Sequence, residues 1–213
     1  SLMVFVQPPG AGESLYRGNK SPYSDIVLSM KYLAQTLLFC ALVPSNAFAN
    51  TIQAEHITEA ALERTKADVT YDGRYFSIAY PQGDVPSHLG VCTDVVIRAY
   101  RKLGIDLQQL VHEDMRQNFA AYPKRWGLRK PDRNIDHRRV PNLETYFTRK
   151  GFARKISKNG ADYLPGDLVT WDLDPSRREL PHIGILVPNP QGPGQPWVVH
   201  NIGAGPELSN SLF

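Results

Sequence analysis

The chemistry in this 213-residue chain is concentrated in one cysteine and two histidines. Cys92 stands in the run Gly90-Val91-Cys92-Thr93-Asp94, His182 opens His182-Ile183-Gly184-Ile185, and His200 closes Trp197-Val198-Val199-His200. A thiol becomes a nucleophile when it loses its proton. A neutral imidazole can take that proton near neutral pH, provided a third group orients the ring. Val95, Val96, Ala99 and Leu103 recur with the three-and-four spacing of one helical face, and Cys92 lies on that face at its N-terminal end. Backbone N–H groups left unpaired there favour a thiolate and can hold a developing oxyanion. The competing reading is a small buried apolar residue, the common fate of a free cysteine.

The histidines weigh on the side of chemistry. His182 follows the turn residue Pro181 at the start of one β-rich run, and His200 ends the next. If the two runs pair as a hairpin, the start of one lies opposite the end of the other and the imidazoles meet. Cys92, His182 and His200 then form nucleophile, base and orienter. Cys, His and His can also hold zinc, but the close paired spacings of zinc sites and a fourth ligand are missing, so neither metal nor cofactor is expected.

The elements that must position these residues follow from periodicity. An amphipathic helix is predicted over Ile52–Ala67, capped within it at Thr58. Tyr75–Tyr80 reads as a short strand ended by Pro81 and Gly83. The cysteine helix runs to about Leu103 and stops at Gly104, and a further helix spans Leu107–Phe119. A loop from Tyr122 to Pro141 precedes a helix capped by Asn142 and running to Lys150. Leu168–Trp171, Ile183–Val187 and Trp197–His200 are β-rich. Helices first and strands later predict an α+β domain with the cysteine helix packed on a small antiparallel sheet.

Export is expected as well. Met30-Lys31, the apolar run Tyr32–Val43 and Ala47-Phe48-Ala49 have the three regions of a secretory signal peptide, too short to span a membrane. Residues 1–29 are read as an upstream segment outside the fold, 30–49 as the leader and 50–213 as one domain, monomeric and periplasmic or otherwise exported. Cleavage after Ala49 removes Cys40 and leaves Cys92 as the sole thiol, which in an oxidising compartment must be buried or used. Net charge is +3, but twelve Lys or Arg fall between Lys124 and Lys158 against Asp132, Asp136 and Glu144. That basic middle suits an anionic partner such as a carboxylate-rich wall peptide. Nucleic acid and stable membrane insertion are not expected of an exported, cleaved chain.

Taken in order, Tyr80, Gly83, Gly90-Val91-Cys92-Thr93-Asp94, Leu164-Pro165-Gly166-Asp167-Leu168-Val169, His182-Ile183-Gly184-Ile185 and Val199-His200 resemble the NlpC-like branch of papain-fold cysteine peptidases. Within it, the chain most resembles a bacterial family of uncharacterised exported proteins carrying a peptide like Asn134–Arg139. The resemblance covers roughly Thr70 to Phe213. It implies a papain-like fold, a Cys92–His182–His200 triad and a Tyr80 hydroxyl that helps bind the oxyanion. It also implies cleavage of an amide bond in the peptide stem of peptidoglycan, with Asp136, His137, Arg138 and Arg139 as substrate contacts. The two arginines would grip stem carboxylates. Val91-Cys92-Thr93 departs from the Asp-Cys-Ser of such relatives. An acyl transferase or deamidase with the same triad, and a papain-fold module that only binds anionic wall polymer, are the alternatives.

Overall fold

The protein was described from a computed structural model that covers residues 3–5, 45–174, 176 and 180–212. Residues 30–44 of the expected leader, with Cys40, lie outside the described residues. Helix α1, Ser45–Arg64, runs through the expected cleavage point after Ala49.

Helix α2, Cys92–Lys102, forms where Val95, Val96 and Ala99 make an apolar stripe, with Asp94 in the first turn and Arg101 and Lys102 in the last complementing its dipole. It ends before Gly104, whose φ of 78° a side chain would resist. Helix α3, Leu107–Asn118, starts at Asp106, whose carboxylate accepts the N–H groups of Gln108 and Gln109. Helix α4 spans Val140–Arg149. Asn142 does not cap α4 as expected. Pro141 occupies the first turn, Arg139 is the cap residue, and the Asn142 amide instead donates to the Asp136 carbonyl. Thr58 likewise sits inside α1, its hydroxyl returned to the Glu55 carbonyl.

Strands β1 (Met3–Phe5), β4 (Ala153–Arg154), β5 (Leu168–Asp172), β6 (Pro181–Val187), β7 (Trp197–Asn201) and β8 (Pro206–Ser209) form an antiparallel sheet in the order β4-β1-β5-β6-β7-β8. A separate parallel pair joins β2, Thr70–Tyr71, to β3, Leu89–Gly90. The architecture is α+β, with four α-helices among the described residues and an antiparallel sheet. Two expectations are corrected here. Met3–Phe5 does not stand outside the fold but lies between β4 and β5, with Phe5 fully buried. Tyr75–Tyr80 is not a strand: it has no strand beside it, and side chains hold its backbone, with Asn134 accepting the Ile78 N–H and Gln108 donating to the Ala79 carbonyl.

Alternation along the strands separates two apolar layers. Phe5, Leu168, Ile183, Ile185, Val187 and Val199 face the helices and pack with Val95, Val96 and Ala99 of α2. Val169, Leu186 and Val198 face the other way with Tyr163 and Trp171. The Phe147 ring stands at the centre of the helical side, touching the rings of Phe5, Tyr100, Tyr146 and Phe152. Phe147→Ala is expected to cost about 3–5 kcal/mol, read as a lowered urea midpoint with an unchanged denaturant slope.

Candidate active site

Cys92 is the first residue of α2, and the turn that presents it is built by Asp94. Val91 has no side-chain oxygen to cap the helix, so the Asp94 carboxylate reaches back and accepts the Val91 N–H at 2.7 Å. The same carboxylate takes the Arg138 guanidinium as a fork, Nε to Oδ1 at 3.0 Å and Nη2 to Oδ2 at 2.9 Å, both partners buried. Arg138 also donates to the Asp72 and Arg74 carbonyls, while its own carbonyl accepts the Thr93 hydroxyl at 3.1 Å. One arginine thus ties the turn that carries Cys92 to the segment that follows β2. Arg98, one turn further along α2, pairs with Asp84 and donates to the Leu89 carbonyl at 2.9 Å, holding the approach to Gly90. Gly90 has no room for a side chain without crowding Asp94 and Arg98.

The Cys92 side chain is buried, about 5% exposed. The N–H groups of Ile183, Thr93 and Cys92 itself point at the sulfur. Burial pushes the thiol up to about 11 despite those donors, and the nearby Asp94 carboxylate adds to the rise. The expected low-pKa thiolate is therefore not the resting form, because loss of water outweighs the helix terminus. The Tyr71 hydroxyl on β2 also lies beside the sulfur, and burial, followed by the neighbouring Cys92, pushes that phenol up to about 12.

His182 meets the expectation for its partner. Its Nε2 lies 3.0 Å from Nδ1 of His200. His200 Nε2 is 2.6 Å from the Ser209 hydroxyl on β8, which is 2.6 Å from that of Ser211. The Trp171 ring packs edge-on against both imidazoles. Register explains the grouping: Trp171 is directly opposite His182, and Ser209 opposite Val198, two residues from His200 on the same face. Burial, with His200 beside it, holds His182 down to about 3, and burial also lowers His200, so both rings are neutral at physiological pH.

Alternation along β6 puts His182 on the Trp171 side and Ile183 on the helix side, so the sulfur meets the strand at the N–H one residue after His182. In this arrangement the imidazole is engaged with His200 and the thiol with Ile183 and Tyr71. The hydrogen-bond chain has two possible proton orders. In one, His182 Nε2–H donates to His200, His200 Nε2–H donates to Ser209, and Ser209 donates to Ser211. In the other, Ser209 donates to His200 and every ring proton is reversed. Only the first leaves His182 Nδ1 with a free lone pair, the state a general base needs.

The remaining expected site residues fall elsewhere. Tyr80 packs edge-on against His112 of α3 with Arg133 over its ring, and it is Tyr71 that reaches the sulfur. Asp136 is buried, accepts the Asp132 N–H and pairs with Arg139 at 3.2 Å. Arg139 also covers the Trp126 ring at 4.0 Å. His137 is buried and held down to about 3 by burial and then by Arg138. The expected substrate contacts Asp136, His137, Arg138 and Arg139 are thus scaffold. A buried carboxylate demands a buried cation, and Asp94 and Asp136 have claimed these two. Tyr71 and Ser209 were not foreseen. Tyr71 carries no local signal, since its place depends on pairing with Gly90, whereas Ser209 sits in a polar-alternating run that could have been read as a strand beside His200.

The profile of a domain of unknown function, DUF1287, matches residues 58–213. The chain belongs to this family. The match takes in every residue of the site, from Tyr71 to Ser211. The uncharacterized protein YijF of Escherichia coli (strain K12) is 51% identical over 165 residues, 78% of each chain. No solved structure matches.

Three outcomes are expected. Arg138→Leu should destabilise the fold by about 3–5 kcal/mol because it strands Asp94, and Asp94→Leu/Arg138→Leu should recover part of that, measured by chemical denaturation. Iodoacetamide should label Cys92 more slowly than a small thiol. At pH 8 roughly one sulfur in a thousand is ionised with its pKa near 11, so the rate should climb with pH well beyond 9. In nitrogen-15 NMR both histidines should carry the proton on Nε2, and Ser209→Ala should move His200 towards the Nδ1–H form.

Proposed function

We propose that the chain is an exported thiol hydrolase of the NlpC-like, papain-fold type, cleaving an amide bond in the peptide stem of the cell wall. The observation that carries this reading is the placement of a helix-terminal thiol against the N–H next to His182, whose ring is oriented by His200. Substrate enters beside the exposed Tyr71 ring, and the reaction requires the sulfur to leave its resting contacts and meet the His182 ring, which stands on the Trp171 side of β6. His182 Nδ1 takes the thiol proton as the sulfur attacks the carbonyl carbon. N–H groups at the start of α2 and the Tyr71 hydroxyl receive the oxyanion. The tetrahedral adduct collapses, the C–N bond breaks, and the leaving amine takes the proton from His182. Water, deprotonated by the same ring, then attacks the thioester, releases the acid and returns the proton to the sulfur. An amine in place of water makes the same site a transferase.

The burial of the sulfur and its raised pKa favour a second reading, a binding module without turnover. Incubating purified peptidoglycan with the wild type and with Cys92→Ala, followed by mass spectrometry of soluble fragments, separates the two. Hydrolysis requires new peptide ends from the wild type and none from the variant. Wall binding by both proteins with no released fragment overturns it.

A further inference from the structure

Three of the loop's cations carry no carboxylate partner among the described residues, although Arg133 lies over the Tyr80 ring at 5.7 Å. Arg129, Lys130 and Arg133 are exposed and line an open cleft of about 680 Å³ between the 127–134 loop and His112 of α3. Among the described residues, none of the three forms an ion pair. The Nδ1 of His112 is buried and has no hydrogen-bond partner. Burial, followed by Arg116 and Arg133 nearby, holds that ring below the usual imidazole range. The carboxylate in the lining, Asp132, is turned to the Tyr75 hydroxyl at 3.1 Å and the Asn134 N–H at 2.9 Å. A volume of this size suits a small ligand or one residue or two of a larger one.

The cleft is joined to the thiol by the segment from Tyr71 to Tyr80. Tyr71 touches the sulfur, Tyr75 is exposed and bonded to Asp132 and Asn134, and Tyr80 packs on His112 at the cleft. Its inward carbonyls are held by Arg138 and Gln108, which keeps the strip extended.

We propose that this cleft is a carboxylate-binding subsite for an extended peptide, with Arg129 and Arg133 as its anion contacts and the Tyr71–Tyr80 strip as the path to Cys92. The direction of the peptide rests on the hydrolase reading; the anion site does not. Two guanidinium forks match a carboxylate, and the apolar Leu128 in the lining with the exposed tyrosines along the strip favours a peptide over a phosphate polymer.

Calorimetry on the full chain tests it, using an acetylated tetraglutamate peptide, a tetraglutamine peptide and inorganic tripolyphosphate as probes. The glutamate peptide should bind, weaken with added salt and lose about tenfold in affinity in Arg129→Gln/Arg133→Gln, while tetraglutamine stays silent. Both positions are exposed, so the double variant should keep the wild-type unfolding temperature. Peptide binding that ignores the double substitution, or tripolyphosphate binding without peptide binding, overturns the proposal. Cys92→Ala should bind the peptide as the wild type does whether or not wall fragments are ever released, so failure of the hydrolase reading and failure of this subsite are read separately.

Discussion

The buried pair between Asp94 and Arg138 is the interaction on which the rest of the site depends. Removing two charges from water is costly, and the pair offsets that cost by satisfying nearly every atom it brings in. Asp94 closes the first turn of α2 through the Val91 N–H, and Arg138 spends its remaining donors on the carbonyls of Asp72 and Arg74. Cys92, two residues before Asp94, and Tyr71, one before Asp72, are therefore located by one guanidinium. A lysine at 138 would keep the charge and lose the fork that makes this possible.

The sheet supplies the other half by register alone. Antiparallel pairing brings Trp171, His182 and His200 side by side, and β8 adds Ser209 at the far end of the chain of imidazoles. Both imidazoles are buried, so each ring proton must have an assigned owner. The thiol was placed under an opposite pressure. Its helix terminus favours the anion, yet burial among Val95, Val96 and Ile183 favours the neutral form more strongly, and the neutral form prevails.

How much was legible depended on the distance over which a residue's role is decided. The helices around Val95 and Leu107 and the strands at Leu168, Ile183 and Trp197 follow from local periodicity, and the structure has them close to where it placed them. The pairing of His182 with His200 was reached by combining two strands with hairpin geometry. Tyr75–Tyr80 alternates like a strand and is not one, because no neighbouring strand accepts its backbone and Asn134 and Gln108 do so instead. Arg138 and Arg139 read as free cations since nothing local reveals that Asp94, 44 residues earlier, and Asp136 need them.

By itself, then, the sequence determined residue chemistry and periodicity: a cysteine at a helix start, two histidines at strand ends, an α+β order of elements and a basic middle. Only the tertiary structure decided which charges are spent inside and which remain at the surface, and which tyrosine meets the sulfur. The reason is physical. Periodicity is fixed by the backbone within a few residues, whereas desolvation and ion pairing are settled by whichever distant segment packs over a group and takes its water away.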